Sequence, residues 1–137
     1  MFVNPFPTMF LALVAHAILR IIFGLILMAL GYRHLFADRP ALTSAIAACV
    51  PRLSGMATWF AIKLAIVELI LGAMFVFGFY TQIAALATII YAIKMLFFRK
   101  HLTYPLMPSP SFYFLAIGVC FSLFITGAGM FAFDIPL

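Results

Sequence analysis

The chain has 137 residues, of which 68% are hydrophobic and 8% charged, and its net charge is +5. A soluble domain carries roughly 25% charged residues, so a water-solvated globule is excluded. No basic run is longer than Arg99-Lys100, and the other cations bunch at the ends of apolar stretches, which excludes a nucleic-acid face.

A mean hydropathy of +1.28 marks an integral membrane protein. Backbone polar groups in lipid must be satisfied internally, and continuous apolar runs rather than alternation select helices over a barrel. Residues 1–7 form a short tail punctuated by Pro5 and Pro7, without the basic start or cleavage site of a signal peptide. The first span is predicted over 8–32, roughly 36 Å at 1.5 Å per residue, enough to cross the ~30 Å hydrocarbon layer. Arg33, His34, Asp38, Arg39 and Pro40 then end it at the interface. Residues 41–49 are too short to span and read as an interfacial segment.

From Ala57 to Phe98 the apolar run is nearly unbroken. As one helix it would be about 63 Å long, twice the bilayer's need. It must fold back, and Gly78-Phe79-Tyr80-Thr81-Gln82 is the best break. The second span is therefore 57–77 and the third 81–98. A proline-rich loop leads to a fourth span over 111–126, which Gly127-Ala128-Gly129 stops. The expected fold is all-α: one polytopic membrane domain, an antiparallel bundle of four transmembrane helices.

Basic residues fall in the connection after the first span (Arg33, Arg39, Arg52) and the one after the third (Arg99, Lys100). Basic loops stay in the cytoplasm, so both termini are expected outside the plasma (inner) membrane of a prokaryote.

Within the spans, His16, Arg20, Gly24, Gly31 and His34 follow helical steps and form one polar stripe. Ala57, Ala61, Ala65, Glu68 and Gly72 do the same on the second span. Small residues at Gly24, Gly31, Gly72 and Gly78 let helix backbones approach closely or turn. Arg20 is costly inside a membrane, about 2.5–3.5 kcal/mol on insertion scales. Glu68 is the one acid within an apolar segment, and both residues sit near the middle of their spans. They are expected to pair, either as a structural clamp or as a ligand or proton site. Lys63 and Lys94 are expected to snorkel to the cytoplasmic interface.

His16 and His34 share one helix, about 27 Å apart, so no opposed pair exists to hold haem. Cys49 and Cys120 form no C-x-x-C motif. No metal-ligand cluster, phosphate loop or nucleophile–base set is written in the chain, so no catalytic residue, metal or cofactor is expected, and catalysis by this chain alone is not.

Three motifs in order carry a resemblance. Arg20-x3-Gly24-x6-Gly31-x2-His34-Leu35-Phe36 resembles the first helix of DoxX-like membrane proteins. Glu68-x3-Gly72-x5-Gly78-x2-Thr81-Gln82-x-Ala84-Ala85 resembles that family's second helix, turn and third helix. Thr126-Gly127-Ala128-Gly129-x4-Asp134 resembles its terminal motif. His34 stands where the family usually has lysine, Gln82 where it has arginine, and Ala128 where it has proline. The family includes the small subunit of a thiosulfate:quinone oxidoreductase. The resemblance implies a four-helix bundle that serves as an accessory or anchoring subunit of a quinone- or sulfur-linked redox complex, with a quinone contact within its scope. Its partners would be the lipid bilayer and other membrane subunits, not nucleic acid. The rival readings are a small-molecule or ion transporter acting as an oligomer, and a purely structural subunit of a larger membrane assembly.

Overall fold

A computed structural model of the protein describes residues 8–49, 51–99 and 108–126. All regular structure among them is helical: α1 (Thr8–Phe36), α2 (Arg39–Cys49), a 3-10 segment (Pro51–Met56), α3 (Ala57–Phe77), α4 (Thr81–Phe98) and α5 (Pro110–Thr126). Three helical stretches, Leu11–Phe36, Ser54–Phe77 and Thr81–Phe98, are long and apolar enough to cross a membrane. Helix α5 is apolar but shorter. The expected stop at Gly127-Ala128-Gly129, and Asp134, Lys100 and His101, lie outside the described residues.

Helix α1 runs one turn further than expected. Arg33 and His34 belong to its last turn rather than to the following loop. A cation suits the C-terminal end of a helix, where carbonyl dipoles point outward. The chain then turns at Ala37 and Asp38, whose N–H groups both donate to the Arg33 carbonyl at 2.8 and 2.9 Å. Helix α2 lies against α3 through Leu42, Ala45 and Ala61.

The α1–α3 pair is the most extensive helix contact, and α4–α5 is the next. Glycines set the first one. A methyl group built on Gly24 would stand 2.8 Å from the Gly72 carbonyl oxygen, and one on Gly31 would stand 2.9 Å from that of Ala65. The two backbones therefore touch, which gains dispersion contact where lipid offers no hydrophobic drive for association. These contacts also fix the register as antiparallel. Gly24 meets Gly72 and Phe75, while Gly31 meets Ala65 and Glu68.

The turn between α3 and α4 uses two left-handed residues, Gly78 (φ 69°) and Tyr80 (φ 46°). Gly78 closes α3 by donating to the Met74 carbonyl. Glycine takes that conformation without a Cβ clash. The tight reversal sends α4 back along α3. The main core then forms from Phe23, Leu27, Leu71, Phe75, Ala84, Ala85, Ala116, Cys120 and Leu123. Phe23 and Phe75 meet edge to face at 5.4 Å. The outer faces carry Ile22, Leu25, Ile70, Ile90, Phe97 and Leu115, all exposed. In a membrane protein that apolar belt contacts lipid.

Gly24→Ala should separate α1 from α3 and cost about 1–3 kcal/mol, the usual penalty of overpacking. Gly118→Ala is the control, because nothing lies within 4 Å of the position its methyl would take. Thermal unfolding in detergent should show a lowered midpoint for the first and none for the second. Equal midpoints would remove the close crossing as the basis of the fold.

Candidate functional site

Glu68 lies on the inner face of α3, 1% exposed, a carboxylate in an apolar bundle. Burying such a group is expensive unless it is paired and hydrogen-bonded. Both of its oxygens are taken. His34 Nδ1 lies 2.6 Å from Oε2, and the Tyr91 hydroxyl donates to Oε1. His34 is fully buried and Tyr91 is half-buried. With Glu68 ionised, both contacts are donations to it, and charge-assisted bonds of this kind are short and strong.

Each partner reaches Glu68 for a local reason. Gly31 lets α1 approach until Glu68 Cβ stands 3.0 Å from a methyl built there. His34 is one turn further along α1. Helical side chains lean toward their own N-terminus, and in an antiparallel pair His34 and Glu68 therefore lean toward each other. Tyr91 arrives through the turn. Glu68 lies ten residues before Gly78 and Tyr91 eleven after Tyr80, so the reversal sets them at one depth.

Tyr113 of α5 adds a second phenol. It is 1% exposed and packs with Ala92, Met95 and Tyr91. Its hydroxyl is in electrostatic range of Glu68 and Arg99 and has no hydrogen-bond partner among the described residues.

The expected Arg20–Glu68 pair is corrected. Arg20 is buried, at 1% exposure. The register sets it level with the α3–α4 turn, while Glu68 is level with Leu30. Those levels differ by about ten residues, roughly 15 Å along the bundle. Both side chains lean outward from the intervening contact, so they diverge. The mid-span argument misjudged this because α1 is longer than α3. The first dozen residues of α1 run past the end of its partner, which shifts Arg20 away from the middle of the pair. His16 lies further along that overhang. It is half-buried, and its Nδ1 donates to the Ala12 carbonyl at 2.7 Å. The polar stripe of α1 thus divides into His16 and Arg20 at one end and His34 at the other.

Lys63 extends toward the start of α3, with its ammonium 4.8 Å from the centre of the Trp59 ring. Both cysteines are free thiols. Among the described residues no three His, Cys, Asp or Glu side chains converge as metal ligands would. The contacts of the cluster join a carboxylate to an imidazole and a phenol, groups whose chemistry is proton exchange, with the Tyr113 hydroxyl beside them.

Sequence reasoning put His34 in a stripe but missed its partner, and missed Tyr91 and Tyr113 entirely. The signal for Tyr91 was available in its distance from the turn, mirrored against that of Glu68.

Residues 15–101 match the family model described as DoxX. That is well over half of the chain, and the chain belongs to the DoxX family. No curated protein matches it, and no solved structure does either.

His34→Ala should cost about 3–5 kcal/mol, the usual loss when one member of a buried pair is removed. Tyr91→Phe should cost about 1–3 kcal/mol. Changing His34 and Glu68 together to alanine should cost less than the two single changes summed, by about 0.5–3 kcal/mol. Arg20→Ala and Glu68→Ala should instead add within about 0.5 kcal/mol, as separated sites do. Unfolding midpoints of the purified variants measure all of these. Strong coupling of Arg20 to Glu68 would contradict the register.

Proposed function

We propose that this DoxX-family chain is an accessory or anchoring subunit of a membrane redox complex, quinone- or sulfur-linked, and that Glu68, His34 and Tyr91 are its proton-exchanging core. The observation that carries the reading is the pairing of a buried carboxylate with an imidazole and a phenol inside apolar helices. Redox chemistry in a bilayer moves protons as well as electrons, and protons need titratable groups where water is absent. Intramembrane ionisable residues are functional by default, since their insertion is costly.

A quinone, when bound, would supply a two-electron couple. The residue present that suits a ring carbonyl is Tyr113, whose hydroxyl has no hydrogen-bond partner among the described residues, whereas the Tyr91 hydroxyl is committed to Glu68. The chain's own part is to hold a proton between Glu68 and His34 and to pass it through the Tyr91 hydroxyl at Glu68 Oε1.

In this reading the chain lies in a prokaryotic plasma membrane, α5 is the fourth span, and both termini are outside. The basic residues Arg33, Arg39, Arg52 and Arg99 would then all lie on the cytoplasmic side. The proton cluster would open toward the cytoplasm, since His34 sits in the last turn of α1.

Purification of the tagged chain from its own membranes, followed by mass spectrometry, should recover a reductase or sulfurtransferase in fixed ratio. Glu68→Gln should keep that partner and lose at least about a hundredfold in the complex's turnover, the lower end of the 10²–10⁴ range that proton transfer by a positioned group contributes. A lone oligomer with solute flux would replace this reading with transport. A fixed-ratio partner without redox chemistry would leave only the structural role.

Topology is tested separately, in a background with Cys49 and Cys120 changed to serine. Phe79→Cys, in the exposed turn, should react with an impermeant maleimide added to whole cells. Ser54→Cys, exposed in the basic connection, should react only after the cells are opened. The reverse pattern inverts the protein.

A further inference from the structure

Helices α1 and α5 touch only sparingly. Between them lies a cleft of about 320 Å³, lined by Ile26, Ala29, Leu30, Arg33, Pro108 and Phe112. The α1 residues follow steps of three, four and seven, so they form one straight face. From Ile26 to Arg33 that face runs roughly 10 Å. It is apolar along its depth and cationic at its mouth. Ala29, the smallest of the lining residues and exposed, leaves the floor open.

The mouth carries more positive than negative charge. Arg33 lines it directly. Arg99 is fixed beside it, donating from a guanidinium nitrogen to the Pro108 carbonyl at 2.6 Å. Of the acids at this end, Glu68 is taken up by His34 and Tyr91, and Asp38, 4% exposed, has its carboxylate 3.5 Å from Arg33. Among the described residues at the mouth, two guanidinium groups against the Asp38 carboxylate leave one positive charge in excess. The mouth is also at interface depth, because α1 ends at Phe36 and α5 begins at Pro110.

We propose that this cleft binds one anionic phospholipid, with an acyl chain along Ile26, Ala29 and Phe112 and the phosphate between Arg33 and Arg99. The argument is charge complementarity combined with polarity that changes along the cleft as it does along a lipid. A soluble anion would have no use for the apolar shaft, and a neutral lipid none for the excess charge. The lipid would fill the gap that α1 and α5 leave and so tie the two helix pairs together. This site is separate from the Glu68 cluster and does not rest on the redox reading.

The test is retention of lipid by the purified protein. The full chain is loaded from an equimolar mixture of dioleoyl phosphatidylglycerol and dioleoyl phosphatidylcholine, washed in detergent and weighed by native mass spectrometry. The glycerol lipid should be kept about fivefold over the choline lipid, the effect of one basic residue near a membrane surface. Arg33→Gln should bring that ratio close to one, and Arg33→Lys should largely preserve it. Ala29→Phe, which fills the shaft and leaves the charge, should reduce retention of both lipids. Circular dichroism checks that each variant is folded. If Arg33→Gln does not fold, Arg33→Lys and Ala29→Phe still decide the matter. Equal retention of the two lipids by the unchanged protein overturns the proposal. So does an unaltered ratio in Arg33→Gln, or full retention in Ala29→Phe. Displacement of the phospholipid by equimolar oleate would assign the cleft to free carboxylates and overturn it as well.

Discussion

A carboxylate in hydrocarbon is the constraint around which this bundle is arranged. Glu68 needs donors, and no water is at hand to supply them. His34 and Tyr91 supply them from two different helices. That requirement fixes three things together. α1 must come close enough for imidazole to reach, which Gly31 permits. α1 must stay helical through His34, which carries it past the expected interface. α4 must return at the depth of Glu68, which the two left-handed residues of the turn accomplish. Apolar packing between Phe23, Leu27, Leu71 and Phe75 then fills the remaining space. The glycine crossings set the register of α1 against α3, and in that register the polar cluster is satisfied.

The all-helical membrane architecture and the DoxX family were both legible in the residues. Long apolar runs admit few solutions in lipid, and motif order around Arg20, Glu68 and Gly78 narrowed the family. The polar site was only half legible. Glu68 declared itself as an acid among apolar neighbours, because composition alone makes such a residue conspicuous. Its partner did not. Charge complementarity favoured Arg20, the most conspicuous cation, over His34, which looked like the start of a loop. What decided the matter was the relative offset of α1 and α3, and an offset is a property of two helices together. It is written in which glycine meets which carbonyl, and neither helix carries that information by itself. Tyr91 was missed for a related reason. A tyrosine in an apolar run is compatible with core, interface or site, and only its distance from the turn separates these.

The residue type at His34 also bears on how the pair with Glu68 is made. The family resemblance puts lysine at this position, and this chain has imidazole. A lysine ammonium is a strongly hydrated point charge with three donors. Imidazole is planar, less hydrated, and able to carry its proton on either nitrogen. His34 keeps a nitrogen facing Glu68, at 2.6 Å. The ring is also rigid, where a lysine stem is flexible.

The overhang of α1 has a consequence for the surrounding lipid. The apolar part of α1, Leu11–Phe36, has 26 residues, or about 39 Å of helix. Helix α4 has 18, about 27 Å, and fits a ~30 Å hydrocarbon layer almost upright. To fit the same layer by leaning, α1 would need a tilt of about 40°, at the extreme of what membrane helices adopt. It cannot lean alone, because Gly24 and Gly31 hold it against α3. The protein therefore offers the bilayer two unequal hydrophobic lengths side by side. Lipids beside α1 meet a longer span than those beside α4. A membrane of longer or more ordered chains fits the α1 flank better, and one of shorter chains the α4 flank.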